Sequence, residues 1–289
     1  MSAIDTLILP SVRDLGGFSV HRLLPAPSQH MVGPFIFFDA MGPTTFAPGT
    51  GVDVRPHPHI GLAAVTWLFD GELMHRDSLG YAQLIRPGEV NWMTAGRGIV
   101  HSERTPLDIR GRPARLHGIQ SWLALPRHAE ETAPEFHHHA AASLPAIDAD
   151  GVSLRVIAGT LLGRTSPVRT YSAVGYGALG LQAGAVLVLP PEHQERAVHL
   201  VDGDLQVDGE ALPAGAMATL RPDRPVELRA TSPVRCMVLG GEPADGPRHI
   251  WWNFVSSSQE RIERAKQDWA QGRFAAVPDE REFIPLPEG

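Results

Sequence analysis

The sequence predicts an all-β protein in which two copies of one antiparallel β module are followed by a C-terminal helix. The 289 residues include 29 glycines and 26 prolines, which lie in short clusters between apolar runs. The motif FDGEL at 69–73 nearly repeats as VDGDL at 201–205, each time directly after an apolar run. Helical periodicity is clear near the C-terminus, in SSSQERIERAKQDWAQGRF. This combination is typical of short strands joined by turns and arranged as two modules.

The first module is expected within residues 1–135. Apolar or alternating runs such as PFIFFDAMGP and LHGIQSWLALP end in Gly, Pro, Asp or Asn, and this spacing indicates an antiparallel barrel or sandwich. The following stretch, HAEETAPEFHHHAAASLPAIDADG, is polar and rich in alanine, so it is interpreted as a crossover or linker. The tract His137, His138 and His139 lies there without a companion carboxylate pattern and is expected to be solvated surface.

The second module is expected within residues 150–289, where the strand pattern returns before a helix and a tail. In the helix, Ile262, Ala265 and Trp269 fall on one face. Ser257 and Glu260 offer a capping box, and Gly272 stands where the helix would stop.

Composition excludes some classes of function. The balance of 25 Lys and Arg against 32 Asp and Glu gives a net charge of −7 without a basic block, which argues against direct nucleic-acid binding. No segment approaches the roughly 18–20 apolar residues of a membrane-spanning helix. The single cysteine, Cys236, lies in the apolar run VRCMVLGG and is expected in a core strand. We therefore expect a soluble, cytoplasmic protein.

Two pairs of polar residues predict a metal site. His57 and His59 stand two apart in RPHPHIGLAAVTWLFDG, and His101 and Glu103 stand two apart in GRGIVHSERTP. Alternate residues of an extended strand share a face, so each pair can point into one barrel. Imidazole nitrogen binds Fe(II), Zn, Cu and Ni well, and a carboxylate offsets the charge of the ion. Four ligands leave two positions open on an octahedral ion, which favours iron, although this spacing also allows a tetrahedral zinc site.

The second module is predicted to bind no metal. Aligning the two copies places Leu189, Pro191, Leu228 and Ala230 at the four ligand positions of the first module. None of these side chains can act as a ligand.

The stretches HPHIGLAAVTWLFDGELMHRDSLG and PGEVNWMTAGRGIVHSE resemble the two motifs of the cupin superfamily and, more narrowly, the pirin family. The resemblance extends to RHIWWNFVSSSQERIERAKQDWAQGRF and covers nearly the whole chain. It implies a bicupin with a metal in the N-terminal barrel, and the family's ligands carry over onto His57, His59, His101 and Glu103.

The resemblance also implies a function. The expected ion is a single Fe(II), with Zn, Mn, Ni, Cu and Co as alternatives. The expected activity is that of a quercetin 2,3-dioxygenase, with O₂ and a small aromatic substrate of flavonol type. The alternative is a metal- and redox-dependent regulatory protein that acts by docking onto protein partners.

One residue departs from the resemblance. Better-known pirins have a glutamate four residues after the second histidine, where this chain has Ala63. Glu103 is then the remaining candidate for the catalytic base, so we expect slow flavonol cleavage that Ala63→Glu would accelerate. General bases contribute about 10²- to 10⁴-fold.

Other polar residues lie near these motifs. His117 and Gln120 are expected either to line the cavity or to bond to the backbone. His75 and Asp77 precede a turn glycine and are expected to shape a hairpin.

Overall fold

The computed structural model describes residues 2–14 and 17–287. Its regular structure is almost entirely β, which confirms the all-β prediction. The strands up to residue 139 are β1 (Ile4–Ile8), β2 (Ser11–Asp14), β3 (Ser19–Leu24), β4 (Phe35–Phe46), β5 (Asp53–His59), β6 (Leu62–Asp70), β7 (Leu73–Asp77), β8 (Ala82–Ile85), β9 (Val90–Thr94), β10 (Ile99–Arg104), β11 (Ala114–Ala124) and β12 (Glu135–His139). A short helix, α1 (Leu107–Arg110), separates β10 from β11.

The remaining strands are β13 (Ala146–Ala149), β14 (Val152–Leu161), β15 (Arg164–Thr165), β16 (Val174–Leu181), β17 (Val186–Leu189), β18 (Glu195–Asp202), β19 (Leu205–Val207), β20 (Glu210–Leu212), β21 (Met217–Leu220), β22 (Val226–Ala230), β23 (Val234–Gly241), β24 (His249–Trp251) and β25 (Phe254–Ser256). A second helix, α2 (Gln259–Ala270), follows β25, and two short 3₁₀-helices span Arg127–Ala129 and Ala141–Ser143. Within the described residues, neither α-helix has the length and apolar character needed to cross a membrane.

The chain forms two compact units that differ from the predicted segments 1–135 and 150–289. One unit consists of residues 1–13, 21–40 and 140–243, and the other consists of residues 14–20, 41–139 and 244–289. Each unit therefore contains residues from distant parts of the chain. The C-terminal helix belongs to the same unit as the predicted metal ligands.

In the unit that contains residues 140–243, one sheet has the strand order β1-β21-β18-β23-β16-β14-β13, and a four-stranded sheet has the order β17-β22-β19-β20. Side chains of both sheets share one apolar core, which includes Leu189, Leu228 and Ala230. Three of the four positions that align with the predicted ligands are thus packed into apolar core. Cys236 lies in β23 and is buried, as predicted, and burial raises the pKa of its thiol to about 12.

In the unit that contains residues 41–139, strands β5-β10-β7-β8 form one sheet, and a second sheet includes β12-β9-β6-β11 in that order. A core of buried apolar side chains includes Leu68, Leu73 and Leu116, from strands of both sheets. The tract His137–His139 lies on β12 and pairs with β9, so the linker interpretation of these three residues was wrong. Half of the His137 side chain is exposed, and His138 bonds to Asn91.

Residues 249–286, which we call the C-terminal brace, pack onto this same unit. Ile60 forms a bridge with Phe254, and the amide of Val255 donates to the carbonyl of Ile60 (3.2 Å). Further along, the amide of Ile284 donates to the carbonyl of Pro56 (2.8 Å). Two of the bonded carbonyls therefore belong to the stretch 56–60 that carries His57 and His59.

The N-cap of helix α2 lies one residue after the predicted cap, Ser257. Its N-cap is Ser258, whose hydroxyl accepts from the amide of Arg261 (3.3 Å). Ser257 instead bonds to Glu130 through both its amide and its hydroxyl (2.9 Å each). Ile262 and Ala265 are buried, as predicted, and Gly272 follows the helix with a φ of +64°.

Candidate metal centre

Two neighbouring strands place the four predicted ligands. His57 and His59 lie on β5, and His101 and Glu103 lie on β10. The strands are antiparallel, with His101 opposite His57, and the register shifts between His101 and Glu103. Cross-strand partners lie about 4.5–5.5 Å apart at Cβ. The alternation that suggested a shared face thus brings the three histidines together.

The three imidazoles form a tight, buried group. Their ring centroids are 4.5 Å apart for His57 and His101, 4.9 Å for His57 and His59, and 5.0 Å for His59 and His101. Each ring offers one nitrogen, and these nitrogens all lie within 4.8 Å of one another. The exposed fractions are 7%, 1% and 2% for His57, His59 and His101. A single ion could contact all three rings.

The outward-facing nitrogens of two rings are held by backbone carbonyls. His57 Nδ1 donates to the carbonyl of Arg55 (2.8 Å), and His59 Nδ1 donates to the carbonyl of Asn253 (3.2 Å). A carbonyl oxygen carries no proton, so each Nδ1 must carry one. The Nε2 atom of each neutral ring then has a free lone pair, as a metal ligand requires.

A short contact between nitrogens supports a cation at this place. Nε2 of His59 lies 3.1 Å from Nε2 of His101. His59 already has its proton on Nδ1, so its Nε2 cannot donate while the ring is neutral. If the proton of His101 is on Nδ1 as well, two lone pairs face each other, and a metal ion bound between the rings would remove their repulsion. The donor set therefore fits a divalent transition metal.

Burial also keeps the histidines neutral. Burial lowers the pKa of His57 to about 4. It lowers the pKa of His59 and of His101 well below the usual value, and the neighbouring histidines add to the effect. At pH 7 these imidazoles are therefore unprotonated at one nitrogen and available to a metal.

Glu103 occupies a different part of the cluster from His57 and His59. One of its oxygens lies within 4.8 Å of a nitrogen of His75 and a nitrogen of His101, in a second potential ligand group. The hydroxyl of Thr66 donates to Glu103 (2.9 Å) and also lies 2.9 Å from the side-chain oxygen of Gln120. Burial raises the pKa of Glu103. The structure thus places Glu103 beside His101, with Thr66 holding its carboxyl group.

His75 and Asp77 lie in the predicted hairpin, in which β7 pairs with β8, and they also belong to the cluster. Both lie on β7, next to β10, and they are 3% and 0% exposed. His75 Nδ1 is 3.3 Å from His101 Nδ1. The available signal was the same two-residue spacing of polar side chains that identified the other pairs. The sequence leaves open whether Gln120 and His117 line the cavity. The side-chain oxygen of Gln120 contacts the hydroxyl of Thr66, and the ring of His117 packs near Phe69, with centroids 5.1 Å apart.

Ala63 lies on the opposite face of β6 from the cluster. The pairing of β6 with β11 is unbroken from Leu62 to Leu68, so side chains alternate strictly between the two faces. Thr66 points to Glu103, and Ala64 therefore shares its face while Ala63 does not. Ala63 is 1% exposed. The geometry thus gives no support to the expectation that a glutamate at position 63 would supply a base to the metal.

We predict that Ala63→Glu does not accelerate O₂ uptake and lowers the thermal midpoint of unfolding. A buried carboxylate without a partner costs several kcal/mol or is forced into its neutral form. Ala63→Gln serves as the control, because it adds similar volume without charge. Faster O₂ uptake by Ala63→Glu at an unchanged midpoint would contradict this assignment of faces.

Two family models match this chain. The pirin model matches residues 17–123, and the model of the pirin C-terminal cupin domain matches residues 176–275. Together with the two β units and the histidine cluster, these matches define a two-domain cupin. The chain is 48% identical to a pirin-like protein of Caulobacter vibrioides over 99% of this chain and 100% of that protein. The chain belongs to the pirin family.

Relatives and solved structures extend the comparison. A Pseudomonas aeruginosa protein that carries the provisional name quercetin 2,3-dioxygenase is 40% identical over 89% of this chain and 80% of its own. This chain superposes on the crystal structure of quercetin 2,3-dioxygenase from Acinetobacter baumannii with a TM-score of 0.91 and 35% sequence identity. The match covers 98% of this chain and 95% of that one. A bacterial pirin from Escherichia coli, solved in complex with nickel(II), shares the fold (TM-score 0.66, 17% identity, 83% of this chain and 99% of that one).

Proposed function

We propose that this pirin is a non-haem Fe(II) dioxygenase of the quercetin 2,3-dioxygenase type, acting on a flavonol-like aromatic substrate. The observation that carries the proposal is the convergence of three imidazoles, two of which have Nδ1 committed to a backbone carbonyl. The names of the relatives in Pseudomonas and Acinetobacter support the choice of reaction.

In this proposal, His57, His59, His101 and Glu103 hold the ion. Three neutral imidazoles and one carboxylate leave a divalent ion with one net positive charge and two open octahedral positions. When bound, Fe(II) would supply the sites at which O₂ and a substrate oxygen react. Zn, Mn, Ni, Cu and Co suit part of this donor set, so metal analysis is the first step of the test.

Glu103 is proposed to take the proton of the substrate hydroxyl. Burial raises the pKa of Glu103, so its carboxylate is a stronger base than an exposed one. The hydroxyl of Thr66 donates to the carboxyl group at 2.9 Å and fixes its orientation. General bases contribute about 10²- to 10⁴-fold to rates. Coordination of the carboxylate to a cation would lower its basicity, so turnover is expected to be slow.

The test is anaerobic purification, metal analysis and O₂ uptake with a panel of flavonols. We predict iron-dependent O₂ consumption with quercetin by the Fe(II)-loaded protein and none above background by the metal-free protein. Glu103→Gln, analysed only after its metal content has been matched to the unaltered protein, should consume O₂ at least about 10²-fold more slowly. If the Fe(II)-loaded protein consumes no more O₂ than the metal-free control, the dioxygenase proposal is wrong.

Burial of the ligands favours a second candidate, a metal- and redox-dependent regulatory protein in the cytoplasm. His59 and His101 are almost inaccessible, at 1% and 2%, and O₂ is much smaller than a flavonol. In that case the ion would change oxidation state without turnover, and a protein partner would respond to the change. Bound iron that cycles between Fe(II) and Fe(III) without flavonol-dependent O₂ uptake would favour this candidate.

A further inference from the structure

Strand β7 brings a histidine and an aspartate against the strand that carries His101. In the register of β7 and β10, Asp77 stands opposite His101, and His75 stands opposite Glu103. Both side chains are buried, at 0% for Asp77 and 3% for His75. A buried carboxylate requires hydrogen-bond partners, and the partners of Asp77 include His75.

Asp77, His75 and His101 form one chain of contacts. Asp77 Oδ2 is 2.9 Å from His75 Nε2, and His75 Nδ1 is 3.3 Å from His101 Nδ1. The other oxygen of Asp77, Oδ1, accepts from the amides of Leu79 (2.9 Å) and Tyr81 (3.2 Å). The chain ends at Nε2 of His101, which faces His59.

The direction of these hydrogen bonds follows from the proton count. An ionised carboxylate only accepts, so His75 Nε2 donates to Asp77, and when the His75 ring is neutral its Nδ1 accepts. His101 Nδ1 then donates to His75, which leaves the lone pair of His101 on Nε2. The opposite tautomer of His75 would place an unprotonated nitrogen 2.9 Å from a carboxylate oxygen.

We propose that His75 and Asp77 are positioning residues that fix the tautomer and orientation of His101 for metal binding. The inference rests on the metal site of the proposed function and does not depend on turnover. A metal-bound histidine usually donates its other N–H to a carboxylate, a carbonyl or water. Here the neighbour is a second imidazole, itself oriented by a carboxylate.

Phe136 holds the ring of His75 in place. The two rings are stacked, with centroids 4.2 Å apart and an interplanar angle of 14°. Phe136 lies on β12 and is 4% exposed. The stacking leaves the in-plane nitrogens of His75 directed at its two polar neighbours.

His101 differs from the other two histidines in the kind of group that supports it. His57 and His59 are oriented by the backbone carbonyls of Arg55 and Asn253, which remain when the side chains of those two residues are changed. His101 is oriented by side chains and can therefore be tested by mutation. With iron bound, the negative charge of Asp77, acting through His75, would make His101 a more electron-rich ligand and so would favour Fe(III) over Fe(II).

The principal test is Asp77→Asn, analysed by metal affinity and by the Fe(III)/Fe(II) potential. The asparagine oxygen can still accept from the amides of Leu79 and Tyr81, and its NH₂ group then faces His75. His75 must move its proton to Nδ1, where it opposes the N–H of His101. We expect metal affinity to fall by about 10- to 100-fold, measured by competition with a chelator. The Fe(III)/Fe(II) reduction potential of Asp77→Asn should be more positive than that of the unaltered protein.

Two controls separate positioning from folding. Asp70→Asn changes a partly exposed aspartate that pairs with Arg115, and it should alter neither affinity nor potential. The thermal midpoints of the metal-free proteins show whether Asp77→Asn still folds, as the retained turn bonds imply.

A pair of substitutions at His75 gives an independent test. The side-chain oxygen of His75→Asn can take the place of Nδ1 and accept from His101, whereas His75→Phe offers no acceptor. His75→Asn should therefore bind metal at least about 10-fold more tightly than His75→Phe.

Two results would overturn the proposal. Affinity and potential unchanged in both Asp77→Asn and His75→Phe would show that the contacts are structural only. Equal loss of metal in both His75 variants, with Asp77→Asn unaffected, would make His75 a ligand in its own right. Because affinity and potential are measured without substrate, a protein that follows the prediction but consumes no O₂ would contradict only the dioxygenase proposal.

Discussion

His59→Ala is expected to remove most of the bound metal. The substitution takes away one of three converging nitrogens, and His57 and His101 then hold the ion without a complete ligand set. Glu103→Ala should have a similar effect, because the ion loses its anionic ligand. In both variants, metal affinity should fall by more than the roughly 10- to 100-fold that is typical when a residue supporting a ligand is changed. Metal content after anaerobic reconstitution with Fe(II), determined by mass spectrometry, measures the effect.

His137→Ala is the matched control for these variants. The His137 side chain is half exposed on β12, and its substitution should leave metal content unchanged. The unaltered protein should hold one ion per chain, since the aligned positions Leu189, Leu228 and Ala230 lie in an apolar core. Equal metal content in His59→Ala, Glu103→Ala and His137→Ala would show that the ion lies elsewhere.

Gly61→Ala is expected to be among the most destabilising single changes in the metal-binding unit. Gly61 follows the metal strand β5 and has a φ of +67°. A Cβ at this position would lie 2.0 Å from the carbonyl oxygen of Val255, which is backbone and cannot move alone. The displaced segment includes Asn253, whose carbonyl holds His59. We expect a loss of roughly 3 kcal/mol or more in the free energy of unfolding, with lower metal content.

Gly80→Ala provides the control for backbone strain. Gly80 also has a positive φ, +93°, but a Cβ there would meet no described atom within 4 Å. Its cost should be limited to about 1–2 kcal/mol for a left-handed alanine, and metal content should not change. Urea denaturation followed by tryptophan fluorescence compares the two variants. Equal destabilisation by both would mean that Val255 does not restrict Gly61.

Much of the site could be predicted because its residues lie close together in the chain. The pairs His57–His59 and His101–Glu103 each obey the two-residue period of a strand, and that period alone places each pair on one face. His75 and Asp77 follow the same period, but only the pairing of β7 with β10 shows that they approach His101. Likewise, the position of Ala63 on the face of β6 opposite the cluster follows from the uninterrupted register of β6 and from the contact of Thr66 with Glu103.

The grouping of the chain into two units could not be predicted from local patterns. Strand periodicity identified the strands, but it does not specify which distant strand pairs with which. Ile4 pairs with Leu220 across more than two hundred residues, which places the N-terminal strand in the unit formed by residues 140–243. The cap of helix α2 shifted by one residue because Glu130, far away in sequence, takes the polar groups of Ser257.

The C-terminal brace imposes an order of events on biosynthesis. All four proposed ligands are translated by residue 103, whereas the carbonyl that orients His59 belongs to residue 253 and the amide that bonds to Pro56 belongs to residue 284. Chains grow at about 5–20 residues per second, and domains generally fold as units during synthesis. On the nascent chain, the hydrogen bonds that join Asn253 to His59 and Ile284 to Pro56 therefore cannot form until those residues have left the ribosome. Truncated chains that end before the brace should accordingly bind metal more weakly than the full chain, because Nδ1 of His59 then lacks its carbonyl partner.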